Sequence, residues 1–169
     1  ISDLEPATVV EIGCGPRPLF ERVLAEPVAS APVRRWITVE PAADFAAAAV
    51  DHSLDLPQVS VVPGFAEESV ARVRELGGPA DLIICASLLH EVPDPAEMLA
   101  ALRAMGHPGS VLHVNVPNAL SLHRRLARAM GLIGDEHDLS GRNQLLHQPR
   151  VFDLDELRYE MGEASFAVT

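Results

Sequence analysis

The part of the sequence that most constrains the fold is the stretch 9–18, VVEIGCGPRP. A β-rich run ends here in a carboxylate, Glu11, and two glycines, Gly13 and Gly15, and a helix-like segment follows two prolines. A strand, a glycine turn and a helix N-terminus form a cradle in which the backbone can approach a ligand closely. The stretch therefore predicts the first βα unit of an α/β fold, in which such a turn commonly binds an adenine-ribose cofactor.

Strand-like and helix-like segments alternate along the remainder of the chain. Each strand-like run is mainly apolar, and apolar residues at helical spacing follow most of them. Four strands are expected after the first, at 35–39, 59–62, 81–86 and 110–116. This alternation predicts an α/β fold with a doubly wound, mostly parallel sheet and helices on both faces.

The connections and the C-terminal region carry signals of their own. Asp153 and Glu156 form a capping-box pattern in front of the last helix, and Asn118 is expected to cap an earlier helix. We expect a further strand at 164–169 and loops at 27–32 and 134–150. Because no repeat or low-complexity linker interrupts the pattern, we interpret the chain as a single domain.

Charge and composition narrow the classes of function. The formal net charge is −11, with 24 acidic against 13 basic residues, so a nucleic-acid partner is not expected. Every basic residue is an arginine, which excludes lysine-based chemistry here and is typical of a bacterial, arginine-rich proteome. No apolar run is long enough to span a membrane. The two cysteines lack metal-ligand spacing, so we expect a soluble, cytoplasmic protein.

The glycine turn departs from the dinucleotide-binding fingerprint. That fingerprint places a third glycine where Pro18 stands, and an acidic residue about 20 positions later, whereas Glu40 lies further along the chain. Pyrophosphate binding also needs free backbone N–H groups at the helix start, and Pro16 and Pro18 have none. These departures argue against NAD, although an NAD-dependent oxidoreductase remains an alternative.

Several segments in order resemble the class I S-adenosylmethionine-dependent methyltransferases. The stretch 9–15 looks like that family's first motif, and Glu40 stands where the family places the acid that binds both ribose hydroxyls. The turn 64–67, GFAE, resembles the one that lines the adenine, and 87–95, SLLHEVPDP, resembles the loop after the fourth strand. The resemblance runs from about Thr8 to the end of the chain and implies S-adenosylmethionine as the cofactor and S-adenosylhomocysteine as the product.

The resemblance also implies which residues contact the cofactor. They follow the first four strands, where a Rossmann-like sheet binds its ligands. The implied set is Glu11, Gly13, Cys14, Gly15, Glu40, Pro41, Phe65, Ala66, Ala86, Ser87 and Leu88. Two residues depart from the family pattern, because Arg17 replaces a glycine of the first motif and Phe65 replaces an acid that often contacts the adenine.

The resemblance implies a sheet that this chain does not complete. The family's helices before the first strand are absent, and the chain stops before its last antiparallel hairpin. Because Ile1 is not a natural start, we expect segments to be missing at both ends of residues 1–169.

The implied reaction is an in-line transfer of a sulfonium methyl group to a small-molecule acceptor. Proximity and orientation are the protein's main contributions, and a histidine suits any proton removal. His90 and His147 are the candidate catalytic residues, although His90 could simply pack beside the cofactor and His147 could be an ordinary loop residue. Motifs typical of base methylation are absent, which also favours a small acceptor.

Two further interpretations remain open. A methyltransferase-like domain could bind cofactor or a partner without transferring anything, as Arg17 and the uncertain base suggest. The run 135–138, DEHD, could hold an ion, but we expect a solvated acidic loop and no metal site. Glu11 could serve the backbone of the glycine turn in place of the cofactor.

Overall fold

The computed structural model describes residues 4–26 and 33–168. These contain five strands in one sheet, with the order β3-β2-β1-β4-β5, and neighbouring strands run parallel. The strands are β1 (Thr8–Ile12), β2 (Arg35–Glu40), β3 (Val59–Pro63), β4 (Ala80–Ala86) and β5 (Gly106–Asn115). The predicted α/β fold with a Rossmann-like parallel sheet is therefore confirmed.

Seven helices connect or follow the strands in the described part of the chain. They are α1 (Leu19–Leu24), α2 (Ala43–His52), α3 (Ala66–Gly77), α4 (Pro95–Met105), α5 (Leu122–Ala129), α6 (Gly141–Leu145) and α7 (Leu154–Glu163). None of the helices within the described ranges has the length and apolar content to cross a membrane.

The core forms around β1, the central strand. All five residues of β1 are buried, because β2 and β4 pair with it on either side. A cluster of apolar side chains that includes Val9, Phe20, Trp36 and Ile84 packs together, which ties the strands to α1. Burial of each large apolar side chain of this kind stabilises a fold by about 1.5–3 kcal/mol.

Asp81 fixes how β1 and β4 align at their N-terminal ends. Its Oδ2 accepts hydrogen bonds from the backbone N–H groups of Ala7 (2.9 Å) and Thr8 (2.8 Å). Val9 then lies opposite Leu82, and the register continues to Ile12. The carboxyl ends of these strands consequently meet at one edge of the sheet.

The described residues fall into two compact units. The first comprises residues 1–86 and 100–113, and the second comprises 87–99 and 114–169. The first unit contains β1 to β4 and the glycine turn, whereas the second contains the loop after β4 and helices α5 to α7. The single-domain interpretation of the sequence stays a prediction.

Several predictions about local structure need correction. Residues 164–168 form no strand, because the chain turns after α7 at Ser165 (φ 62°), where Phe166 N–H bonds to the carbonyl of Met161. Asn118 accepts from Leu120 N–H in a turn, and Ser121 stands at the N-terminus of α5 in its place. The predicted loop at 134–150 contains the short helix α6, and the loop predicted at 27–32 lies outside the described residues.

The predicted capping box of the last helix is confirmed. The Asp153 carboxylate accepts from the backbone N–H groups of Asp155 and Glu156. The Glu156 carboxylate in turn accepts from the N–H of Asp153 at 2.9 Å. This reciprocal arrangement satisfies N–H groups that have no partner within a helix.

Candidate functional site

The glycine turn follows β1 at the carboxyl edge of the sheet. Gly13 (φ 68°) and Gly15 (φ 58°) both have the left-handed backbone conformation that glycine adopts without steric cost. The N–H of Gly13 donates to the carbonyl of Val39 in β2 at 2.9 Å, which fixes the start of the turn. No atom of the described residues beyond its chain neighbours lies within 4 Å of the position that a Cβ on Gly15 would take. The turn thus borders open space.

Glu40, the last residue of β2, crosses from its strand to the glycine turn. Its Oε2 accepts from the N–H of Gly15 and its Oε1 from the N–H of Ala42, both at 2.9 Å. The residue is only 4% exposed. Each carboxylate oxygen has two acceptor positions, so each keeps one beyond its backbone bond. The Cys14 thiol also interacts with this carboxylate. Glu40 therefore couples the turn to β2 and keeps acceptor capacity that the donors of a ligand can use.

Glu11 has the opposite arrangement, because both of its oxygens face the interior. Oε1 accepts from the N–H of Leu19 at the start of α1 (2.8 Å). Oε2 accepts from Trp36 Nε1 (3.1 Å) and from the hydroxyl of Thr38 (3.3 Å). The geometry agrees with the interpretation that Glu11 serves the backbone beside the glycine turn.

Fewer N–H groups are available for a pyrophosphate at the first helix than in a dinucleotide fold. The Leu19 N–H is already bound by Glu11, and Pro16 and Pro18 have no N–H to offer. The start of α1 is therefore a poor site for a dinucleotide.

The two carboxylates shape the electrostatics of the turn. Burial raises the pKa of Glu11 above its ordinary value of 4.5, although the bonds from Leu19, Trp36 and Thr38 act in the other direction. Burial, together with the charges of Glu40 and Glu11, raises the pKa of the Cys14 thiol to about 12. Cys14 is therefore a neutral thiol at pH 7 and no nucleophile.

The end of β3 presents an aromatic ring to solvent. Phe65 is 59% exposed and immediately precedes α3, and its carbonyl accepts from the hydroxyl of Ser69 at 2.7 Å. Gly64 N–H donates to the carbonyl of Glu40 at 3.0 Å, which brings this turn beside the end of β2. Pro41 is exposed and Ala66 is buried. An exposed ring in the residue after this turn suits contact with a planar group.

Ala86 is exposed at the end of β4 in the first unit, and Ser87 and Leu88 begin the second. Ser87 has a positive φ of 55°, which is uncommon for a residue with a side chain. Its N–H donates to Asn115 Oδ1 at 2.6 Å, and also to that residue's carbonyl. Strained backbone of this kind persists when its surroundings hold it, and it concentrates at ligand sites.

The two candidate histidines have different environments in the second unit. His90 is 3% exposed, its Nδ1 finds no hydrogen-bond partner among the described residues, and its Nε2 lies 3.7 Å from Glu91 Oε1. Burial lowers the pKa of His90, so its ring is neutral at pH 7. His147 is exposed in a turn with φ 53°.

Three residues that hold this arrangement were missed from the sequence. Trp36 and Thr38 lie two residues apart in β2 and so share a face, and the strand register places Thr38 opposite Glu11. Once β1 and β2 are paired, the alternation of side chains along β2 predicts that Trp36 and Thr38 lie on one face. Asn115 gave no comparable signal, because its contact with Ser87 spans 28 residues of sequence.

The residues at the carboxyl edge of the sheet fit S-adenosylmethionine better than a dinucleotide. The cofactor has ribose hydroxyls that need acceptors and no phosphate that needs donors. Glu40 offers free acceptor positions, and the open space beside Gly15 admits a ligand against the backbone. The fit rests on this chemistry of the first unit alone.

Solved methyltransferases share the fold. BamL, a plantazolicin methyltransferase in complex with a triazolic desmethylPZN analog and SAH, superposes with a TM-score of 0.65 at 13% identity. The match covers 97% of this chain and 59% of BamL. A possible histamine N-methyltransferase from Thermotoga maritima gives 0.62 at 21% identity, covering 95% and 64%. A SAM-dependent methyltransferase from Archaeoglobus fulgidus gives 0.60 at 16%, covering 95% and 61%.

The sequence itself matches a family model described as a methyltransferase domain over residues 2–169. No curated protein matches the chain. The chain spans about three fifths of the length of the solved structures named above. The family match leaves the NAD-dependent interpretation without support. The chain belongs to the methyltransferase domain family, within the class I S-adenosylmethionine-dependent methyltransferases.

Proposed function

We propose that this chain binds S-adenosylmethionine at the carboxyl ends of β1 and β2 and transfers its methyl group to a small-molecule acceptor. The observation that carries the proposal is the position of Glu40, which is buried, bonded to the glycine turn and left with one acceptor position on each oxygen. Two adjacent ribose hydroxyls are donors that match those two positions.

The remaining contacts follow from the chain around Glu40. The backbone at Gly13, Cys14 and Gly15 approaches the ligand closely, since these positions carry little or no side-chain bulk. Phe65 covers the adenine with its exposed ring. Pro41 contributes exposed apolar surface, and the family resemblance implies Ala66, Ala86, Ser87 and Leu88 as further contacts. Glu11 acts by positioning the turn.

S-adenosylmethionine supplies an already activated methyl group on its sulfonium when it is bound. The chain's own residues therefore have little bond-making chemistry to perform. They hold the methyl donor in one orientation and exclude water. Orientation of this kind supplies much of the rate acceleration when two reactants must align. The acceptor needs only to be placed in line with the methyl group.

His90 is the residue that we propose to take a proton from the acceptor. Its buried, neutral ring has an unpartnered Nδ1, so it can accept a proton from a hydroxyl or ammonium group. The alternative base, His147, is exposed and lacks such preorganisation. His90→Gln, which retains a polar side chain of similar length, should lower the transfer rate by about 10²–10⁴-fold with little change in cofactor affinity.

A small acceptor agrees with the net charge of −11, which disfavours a nucleic-acid backbone. The structurally similar BamL was crystallised with a triazolic desmethylPZN analog and SAH, which supports the proposal of a small acceptor. The arginine-only basic composition supports a bacterial origin, and the two cysteines without metal-ligand spacing support a cytoplasmic setting.

Methyl transfer from labelled cofactor to the metabolites of a cell extract tests the proposal. We expect label in a low-molecular-weight product, and loss of that label in Glu40→Ala. Glu68→Ala, which removes an exposed carboxylate from the first turn of α3, is the matched control and should transfer normally. Cofactor binding without transfer to any metabolite would support a non-catalytic methyltransferase-like domain, and absence of binding would refute the proposal altogether.

A further inference from the structure

Three metal-ligating side chains converge in the second unit, and none of them is among the residues assigned above. They are His137, in the loop between α5 and α6, and Asp153 and Glu156, at the N-terminus of α7. One ligand atom from each lies within 4.8 Å of the other two. The residues come from two separate segments of the chain, so the fold is what brings them together.

The distances fit a tetrahedral cation. His137 Nε2 lies 3.3 Å from Glu156 Oε2 and 3.5 Å from Asp153 Oδ2. Nitrogen and oxygen ligands at about 2.0–2.2 Å from a tetrahedral zinc ion are about 3.3–3.5 Å from each other. The two separations from His137 Nε2 match this distance between neighbouring ligands of a tetrahedral ion.

The imidazole is oriented as a ligand would be. His137 Nδ1 lies 3.2 Å from Asp135 Oδ1, which leaves Nε2 to face Asp153 and Glu156. Nε2 is itself buried and makes no hydrogen bond within the described part of the chain, despite the two carboxylates beside it. Metal-binding histidines commonly bond a carboxylate through their other ring nitrogen, which fixes the ring and its tautomer.

The capping box leaves the two carboxylates free to bind. Asp153 uses Oδ1 for the helix N–H groups, so Oδ2 remains available. Glu156 Oε2 accepts one N–H, from Asp153, and keeps a second acceptor position. The helix end therefore holds both carboxylates in place and leaves acceptor positions on each of them free.

The local charge favours a cation at this point. The carboxylates of Glu156 and Asp153 both lie beside His137 Nε2, at 3.3 and 3.5 Å. With the imidazole neutral, the two carboxylates balance the charge of a divalent ion.

We propose that His137, Asp153 and Glu156 form a binding site for a divalent transition-metal ion of the zinc type, with water in the fourth position. Asp135 orients His137 from behind the site. An imidazole ligand disfavours Mg²⁺, which prefers oxygen donors. The bound ion joins the loop after α5 to the N-terminus of α7 and stabilises the second unit.

Calorimetric titration of the metal-stripped chain with Zn²⁺ tests this site. We expect one saturable equivalent in the wild type and no saturable binding of Mg²⁺. Glu156→Gln and Asp153→Asn keep the capping interactions, because Gln and Asn suit those positions, while removing the anionic ligands. Each variant, and His137→Ala, should weaken Zn²⁺ binding at least tenfold. His123→Ala, which removes an exposed histidine from α5, should bind Zn²⁺ normally.

A thermal-shift measurement with the same variants gives a second readout. Zn²⁺ should raise the melting temperature of the wild type and of His123→Ala, and should leave His137→Ala unchanged. The proposal is overturned if the wild type shows no saturable Zn²⁺ binding, or if His137→Ala binds Zn²⁺ as the wild type does. Saturable Mg²⁺ binding that persists in His137→Ala would likewise overturn it, since that is the behaviour of an ordinary acidic surface.

Discussion

Two buried glutamates at the ends of neighbouring parallel strands have opposite surroundings. Glu11 in β1 gives both oxygens to donors within the protein, namely the Leu19 N–H, the Trp36 indole and the Thr38 hydroxyl. Glu40 in β2 accepts one backbone N–H on each oxygen, from Gly15 and Ala42, and interacts with the Cys14 thiol. Their exposures are almost equal, at 5% and 4%.

The difference shows that burial alone does not indicate whether a carboxylate can accept further hydrogen bonds. What separates the two residues is the number of donors that the fold already supplies to each oxygen. The fold supplies three donors to Glu11 and two backbone donors to Glu40, so Glu40 keeps the larger acceptor capacity. Changes at the two positions should therefore affect different measurements.

The largest effect is expected on the reactivity of Cys14, whose thiol pKa is raised by burial and by the charges of both glutamates. Because its pKa is raised to about 12, its thiolate fraction at pH 8 is about a thousandfold lower than that of an ordinary cysteine. Cys85 is buried with a similarly raised pKa. Alkylation at pH 8, followed by mass spectrometry, should proceed at least about 10³-fold more slowly at Cys14 than on a free thiol.

The Glu40→Gln variant sharpens that measurement. Removal of the Glu40 charge should speed the alkylation of Cys14 more than removal of the Glu11 charge does, because Glu40 is the larger of the two charge effects. Rapid labelling of Cys14 in the wild type would show that its thiol is neither desolvated nor held neutral by the two carboxylates.

Glu11→Ala should be the most destabilising of the substitutions at the two glutamates. It leaves the buried Trp36 indole N–H and the Leu19 N–H without a hydrogen-bond acceptor, and each unsatisfied buried group costs about 1–3 kcal/mol. We expect a loss of about 3–4 kcal/mol in the free energy of unfolding, measured by urea denaturation. Glu40→Ala should cost about 1 kcal/mol, since Gly15 and Ala42 can bond water instead. Equal losses would remove the distinction between the two glutamates.

Gly15→Ala tests the open side of the turn. The left-handed φ of 58° should cost alanine about 1 kcal/mol in stability. The added Cβ would also enter the open space beside the turn and weaken S-adenosylhomocysteine binding about tenfold or more. Gly131→Ala is the matched control, because it has a φ of 69° and open surroundings in the second unit. It should lose similar stability and no affinity.

The smallest effect is a pH dependence at Glu11. Its folded pKa is raised, so between 4.5 and that raised value the folded protein binds more protons than the unfolded chain. The unfolding free energy of the wild type, relative to Glu11→Gln, should therefore fall as pH rises above 4.5, by at most about 1.4 kcal/mol per pH unit. Glu40→Gln should narrow that window, because the charge of Glu40 also raises the pKa of Glu11. An increase with pH would contradict the burial of Glu11.

The sequence predicted the sheet and the turn because both rest on local signals. The apolar run of β1, the glycines at 13 and 15 and the capping box of Asp153 and Glu156 are each visible within a few residues. They were confirmed by the strand bounds, the positive φ values and the bonds at α7.

Contacts between distant segments could not be predicted in the same way. The bond from Trp36 to Glu11 needs the β1–β2 register, and the support of Ser87 by Asn115 needs β5 in place. No strand forms at 164–168, because the helix end at Ser165 turns the chain instead.

The most direct test of the account is calorimetric binding of S-adenosylhomocysteine to the Glu40→Ala and Glu11→Gln variants, each checked for folding by its thermal transition. We predict that Glu40→Ala loses about 100-fold or more in affinity, because two charge-assisted hydrogen bonds disappear, whereas Glu11→Gln stays within about threefold of the wild type. Wild-type affinity in a folded Glu40→Ala protein, or an equal loss in both variants, would contradict the assignment of Glu40 as the ribose-binding acid.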